Sequence, residues 1–394
     1  MESCTLIAHL DFRVIRMNEI ESTLTPERVC PTPLAICEAL CVIEDPRRAQ
    51  ARRHPLIGIL VMSLCAIACG GNGWDEIADI ADCHFSWFKS VVPCGKEAPS
   101  ADTFRRVIQA IRPESFQRML QEWLKRCALE KRPGRQVCFD GKALRGSKKV
   151  HIVNAYDPDD GIILGQIAVQ DKENEISALP RLDSIVELEG TICTGDAMFT
   201  QRKIVERLRE RGADYILALK SNQKGLFEAV QKEFGGNYAT TKKLKTLDKN
   251  RGWVEERTLK ISSRISKIDP KKKWADLEAV IELTSQRNRG DEFTIETRYF
   301  IASLADAEVL LERIRKHWGI ENGLHRTLDI HFREDACQVR EKIAAENLSM
   351  LRKIAGSILH QLDPNRTLKS KMRRMMASDS FREGFLSFNG LEER

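Results

Sequence analysis

The feature that most restricts what this chain can fold into is a change of hydrophobic period near Gln136. Upstream, apolar residues recur at helical spacing; downstream they gather into short runs of strand length. Residues 137–140, 150–156 and 162–169 read as three successive strands. The last two are joined by Asp157-Pro158-Asp159-Asp160-Gly161, which reads as a hairpin turn. A calcium loop is the poorer reading, because Ala168 stands where such a loop needs its bidentate glutamate. An amphipathic helix over 176–188, a strand over 191–194, a charged helix over 201–211 and a strand over 215–220 complete the run.

Three antiparallel strands followed by alternating helix and strand give an α/β fold with a mixed sheet. The order β-β-β-α-β-α-β is the one an RNase H-like core requires. The alternation stops after Asn222-Gln223, and a basic, strand-rich insertion is expected, with strands at 277–283 and 293–301. Helical spacing returns at the N-cap candidate Asp306 and runs on through Leu310, Ile314, Trp318, Leu324 and Leu328. The expected organisation is a poorly ordered arm (1–33), a helical N-terminal domain (34–132), the first part of the core (133–224), the insertion (225–304) and a C-terminal helical part of the core (305–394). Short helices with basic surfaces leave DNA binding by the N-terminal domain open.

The longest apolar run, residues 56–69, is too short to span a bilayer, and charges interrupt the first residues where a signal peptide would be apolar. No membrane association is expected, and the location is read as cytoplasmic. The twelve cysteines scatter through apolar segments without zinc-site spacing and read as free thiols. The formal net charge is +6. Residues 242–273 alone carry twelve Lys/Arg against four acids, a net of +8, which suits either a solvated face or a surface that meets phosphates.

Asp140 ends the first core strand and is followed by Gly141-Lys142; Asp196 ends a later strand. On neighbouring strands the two carboxylates would leave the same edge, where a hard divalent cation would relieve their repulsion. Glu321 is the best third acid, on a helix face shared with His317 and His325. A zinc triad of those three lacks the supporting spacing, and each histidine reads as either a structural group or a phosphate contact.

Seven stretches in register resemble the DDE transposases of bacterial insertion sequences, in the H-repeat-associated subgroup. They are Asp45-Pro46-Arg47, Pro99-Ser100-Ala101-Asp102-Thr103-Phe104, Phe139-Asp140-Gly141-Lys142, Asp171-Lys172-Glu173-Asn174-Glu175-Ile176, Gly195-Asp196-Ala197-Met198, the run from Ala213 to Gln223, and His317-Trp318-Gly319-Ile320-Glu321-Asn322. The agreement extends from about residue 45 to the C-terminus. The chain departs from the pattern at Arg251-Gly252-Trp253, Arg326 and Thr200.

The resemblance implies Asp140, Asp196 and Glu321 as catalytic acids holding two magnesium ions, for which manganese can substitute. It implies strand cleavage at insertion-sequence ends and strand transfer into target DNA. It places Lys142, Lys220, Asn222, Gln223, His317 and Asn322 near the bound end, while Lys271, Lys272 and Lys273 of the basic stretch are expected to meet DNA as well. The partner is then double-stranded DNA in the nucleoid, and pairing two ends needs a dimer on DNA. A decayed or repurposed DNA-binding protein is the alternative, and a plain metal-dependent nuclease of the same fold a third reading.

Overall fold

The computed structural model describes residues 35–127, 134–147, 150–170, 173–236, 242–250, 253–289 and 292–388. The expected arm over 1–33 lies outside them, as do Asp171, Lys172, Arg251 and Gly252.

Six helices come first: α1 (Ala35–Leu40), α2 (Leu56–Cys69), α3 (Trp74–Cys83), α4 (Phe85–Val91), α5 (Ala101–Ala110) and α6 (Pro113–Arg126). Helix α2 is apolar on nearly every side and is buried accordingly. It stops at Gly70, whose φ of 108° lets its N–H turn back to the carbonyls of Ala66 and Ile67. Ser100 caps α5 by accepting from the Thr103 N–H, and Pro113 opens α6 where a missing N–H costs nothing. No single described helix is long and apolar enough to cross a membrane. No two described cysteines form a disulfide with each other.

The core then runs β1 (Gln136–Leu144), β2 (Val150–Asp157), β3 (Ile162–Ala168), α7 (Glu175–Asp183), β4 (Ile192–Gly195), α8 (Arg202–Glu210), β5 (Asp214–Leu219) and α9 (Lys224–Gly235). Strands β1, β2 and β3 pair antiparallel, while β1, β4 and β5 pair parallel. The strand order β3-β2-β1-β4-β5 is that of an RNase H-like sheet.

The chain continues as β6 (Lys242–Asn250), β7 (Trp253–Ser262), the short α10 (Ile265–Ile268), β8 (Ala279–Arg289) and β9 (Glu292–Ala302). These strands extend the core sheet itself. β9 pairs antiparallel with β5, and the full order is β3-β2-β1-β4-β5-β9-β8-β7-β6. β6 and much of β7 fall where the sequence suggests only a basic surface. Their lysines conceal a period of two, and much of their charge is paired. Lys245 meets Glu256 at 2.9 Å, Lys260 meets Glu282 at 2.6 Å, and Arg257 binds both Asp248 and Glu255.

Helix α11 (Ala307–Gly319) packs its Leu310, Leu311 and Ile314 on one face of this sheet, with Leu259, Ile281 and Phe300 beneath. After α12 (Arg326–Ile330), the long α13 (Lys342–Gln361) lies on β3 and on α2, α5 and α6, and α14 (Leu368–Ala377) and α15 (Asp379–Leu386) close the fold. The N-terminal helices and the sheet thus share one apolar core. Asn347 of α13 joins the two parts, because its side-chain amide donates to the carbonyls of Ile108 and Ile111 at 2.8 and 2.9 Å. Asn347→Leu leaves both carbonyls buried without a donor and is expected to cost about 2 kcal/mol or more. Urea unfolding reads this as a lower midpoint, and an unchanged midpoint would show that this joint contributes nothing.

Candidate active site

Phe139 of β1 stands opposite Gly195 of β4, so Asp140 and Asp196 follow one residue later on adjacent parallel strands. Asp140 is largely buried. Burial pushes its carboxyl up to about 7, helped by the charges of Asp196, Glu321 and Glu175 and opposed by the Gly141 N–H, which donates to Oδ1 at 2.9 Å. Asp196 is held below the ordinary carboxylate range, mainly by His317, with Lys220 and Arg298 adding positive charge against the cost of burial. His317 Nε2 lies 3.8 Å from Asp196 Oδ1, beyond hydrogen-bond length, while its Nδ1 contacts the Thr194 hydroxyl at 2.8 Å.

The helix expected to run unbroken from Asp306 to Leu328 is not continuous. It widens into a π-helical turn over Ile320–His325 before α12. Such turns shift side chains off the regular helical row and recur at functional sites. Here His317 reaches Asp196, Glu321 lines an open cleft, and His325 Nδ1 comes within 3.4 Å of Asp140 Oδ2. His325 is buried, and burial together with the charges of Lys142 and Lys353 lowers its pKa to about 3, so the ring is neutral. Trp318 lies under two guanidinium groups, with Arg298 and Arg287 at 4.5 and 5.5 Å from its ring centre.

The cleft has a volume of about 740 Å³ and brings together Asp196, Glu321, Lys220, Arg298, His317 and Asn322. Acids and cations together in its lining suit a phosphate backbone carried past a cation site. The other residues expected near DNA are placed differently. The Asn222 amide donates to the Ala197 carbonyl, and the Gln223 amide to the Thr200 carbonyl at 3.0 Å, so both hold the loop that carries Asp196. Lys271, Lys272 and Lys273 are exposed but do not line the cleft.

Lys142 departs most from expectation, being only 8% exposed with its ammonium on Asp329 and Glu334 at 2.5 and 2.9 Å. Burial would lower its pKa, but these two carboxylates outweigh burial and raise it. In this arrangement it is a structural cation, turned away from any phosphate.

The donor set of Asp140, Asp196 and Glu321 offers the hard oxygens that magnesium or manganese prefers. The acids lie within electrostatic reach of one another, yet among the described residues no three such side chains close around a single point. Sequence reasoning passed over Glu175, at the first turn of α7. Its carboxylate lies against the Cα of Gly141, where any Cβ would clash with it. An acid at a helix start reads as ordinary dipole compensation, so only the packing of α7 on β2 and β3, which leaves Glu175 against Gly141, exposes it.

The fold and site define an α/β protein of RNase H-like architecture with carboxylates at the rim of its central strands. A family model described as "Transposase DDE domain" matches residues 127–357, and one described as "DDE_Tnp_1-associated" matches residues 37–124. Among curated proteins, the chain is 31% identical over 370 residues to "Putative transposase YncI" of Escherichia coli O157:H7, covering 90% of this chain and 94% of that one. It is 30% identical over 378 residues to "H repeat-associated putative transposase YhhI" of Escherichia coli (strain K12), covering 89% and 96%. A solved structure, the cryo-EM structure of piggyBac transposase synaptic complex with hairpin DNA, aligns with a TM-score of 0.45 at 13% identity, over 90% of this chain and 82% of that chain. The chain belongs to the DDE transposase family, in its H-repeat-associated group.

The two lysines first expected at DNA should separate on mutation. Lys142→Met leaves Glu334 and Asp329 short of a buried cation and is expected to destabilise the fold by about 3 kcal/mol. Lys220→Met, at an exposed position, should stay within about 0.5 kcal/mol of wild type. Thermal unfolding of both variants distinguishes the roles; equal midpoints would contradict them.

Proposed function

We propose that this transposase-family protein cuts DNA strands at insertion-sequence ends and joins them to target DNA, with Asp140, Asp196 and Glu321 as the acids that hold divalent magnesium. The observation that carries the reading is the adjacency of Asp140 and Asp196 on parallel strands beside a cleft that contains Glu321 together with Lys220, Arg287 and Arg298. A divalent ion bound there would supply Lewis-acid activation of the attacking oxygen and neutralise the charge that builds on the phosphoryl and leaving oxygens. In the cleavage step, water attacks the phosphodiester, one P–O bond forms, another breaks and a 3′ hydroxyl leaves. In the joining step the oxygen of that hydroxyl forms a P–O bond to a target phosphodiester as the target's own P–O3′ bond breaks and a target 3′ hydroxyl leaves, so no covalent protein intermediate is needed.

The chain's own residues bind and orient. Lys220, Arg298 and Asn322 line the path of the backbone, and His317 holds Asp196 ionised. Asn222 and Gln223 keep the Asp196 loop in place from behind. Double-stranded DNA is the partner, in the cytoplasm at the nucleoid, with two copies needed to pair two ends. The exposed Lys271, Lys272 and Lys273 give a second, peripheral meeting with phosphates.

With purified protein, magnesium and end DNA, Asp140→Asn, Asp196→Asn and Glu321→Gln are each expected to lower cleavage and joining more than about 100-fold while the fold is retained. Chelation of the metal should have the same effect. Full activity in any of the three variants would refute the assignment. Retained DNA binding with no cleavage by the wild-type protein would favour the repurposed DNA-binding alternative.

Reversing the charges of Lys271, Lys272 and Lys273 is expected to weaken DNA binding and to flatten its dependence on salt. The log–log slope should fall by roughly one for each phosphate that is no longer neutralised. An unchanged slope would remove these lysines from the interface.

A further inference from the structure

Among the acids whose charge reaches Asp140, Glu175 lies outside the proposed triad. It opens α7, whose start is locked by a reciprocal pair in which Asn174 caps the Ser177 N–H and Ser177 caps the Asn174 N–H. Its side chain is 18% exposed, and the imidazole nearest it, that of His151, stands with Nδ1 3.9 Å away. The carboxylate lies on the Cα of Gly141, the residue after Asp140, and a Cβ at 141 would overlap all three atoms of the carboxyl group. Asp140 feels its charge, and it in turn feels that of Asp196. A favourable helix dipole explains an acid at this position, but it does not explain one folded onto the strand beside two like charges. That placement is costly unless a cation is shared.

We propose that Glu175 is a fourth carboxylate of the site, which with Asp140 holds a divalent cation of the magnesium or manganese type. Gly141 is the residue that admits it. This inference rests on the reading of Asp140, Asp196 and Glu321 as metal-holding acids, and it adds a ligand from a helix that the triad does not use.

The test is titration of the full-length protein with manganese, followed by calorimetry and by the paramagnetic signal of free ion. Glu175→Gln is expected to weaken manganese binding by about tenfold or more. Glu173→Gln, whose side chain pairs with Arg181 outside the cluster, should bind as wild type does. In the absence of metal, Glu175→Gln should raise the thermal midpoint by removing a like charge, and manganese should raise it further by less than in wild type. A merely structural glutamate would give the reverse, a lower midpoint with unaltered manganese affinity.

Glu175→Asp withdraws the carboxylate by one methylene and retains the charge at the helix start, so it reports even if the amide variant does not fold; intermediate affinity is expected. If Glu175→Gln and Glu175→Asp bind manganese as wild type does while Asp140→Asn does not, the fourth ligand is wrong and the triad stands. If wild type binds no manganese, or Asp140→Asn binds it equally well, the triad reading fails and the proposal with it.

Discussion

The register of β1 against β4 is the constraint on which the site depends. With Phe139 opposite Gly195, backbone pairing in a parallel sheet leaves Asp140 and Asp196 no freedom to move apart except through their own side-chain torsions. Two carboxylates on neighbouring strands repel, and the surroundings answer that repulsion unequally. Asp196 has His317, Lys220 and Arg298 nearby and stays ionised easily. Asp140 faces burial, three other acids and a neutral His325, and has one backbone N–H in its favour. The pair is thus divided, with the Asp196 side compensated by neighbouring positive charge and the Asp140 side not.

The wall opposite the strands is held by charge buried much deeper. Lys142 lies two residues beyond Asp140, on the same side of β1, and reaches Asp329 of α12 and Glu334 just past it. Glu334, 1% exposed, also accepts from Ser349 of α13, where Lys353 donates to Gln166 of β3 at 2.7 Å. One turn away, Arg352 donates to the backbone and side chain of Asn72 at 2.9 Å. This chain of partners runs from the active-site strand through α13 to the N-terminal helices. Buried charges stabilise little when compared with apolar packing, but they accept few alternative arrangements. The segment from Glu321 to Glu334 is therefore registered against β1 by geometry more than by energy.

The three candidate acids can be singled out in the sequence because each stands out from its local pattern. Asp140 and Asp196 end apolar strands beside glycine, and Glu321 interrupts a helix face with aromatic and aliphatic neighbours. The core order could be read for the same reason, since apolar runs of strand length carry their own signal. β6 and β7 were hidden because an edge ribbon with one exposed face needs few apolar residues, and Lys or Thr fills the alternate positions. Lys142 and Glu175 were misread or passed over because their meaning lies in partners far along the chain, Glu334 for one and Gly141 for the other. Spacing within a segment cannot report such pairings. The basic stretch overstated its free charge for that same reason, since Arg257 is committed to Asp248 on the neighbouring strand and Glu255 on its own, and Lys260 to Glu282 on β8.

The π-helical turn shows why a helical row was only an approximate guide to the site. Spacing of four would stack His317, Glu321 and His325 along one line, which would present them to a single partner. The wider turn over Ile320–His325 breaks that line. His317, in contact with the Thr194 hydroxyl through Nδ1, then turns Nε2 toward Asp196, His325 Nδ1 approaches Asp140, and Glu321 is left facing the cleft. The irregular geometry of the turn is thus the local cost of giving each strand-end carboxylate its own imidazole.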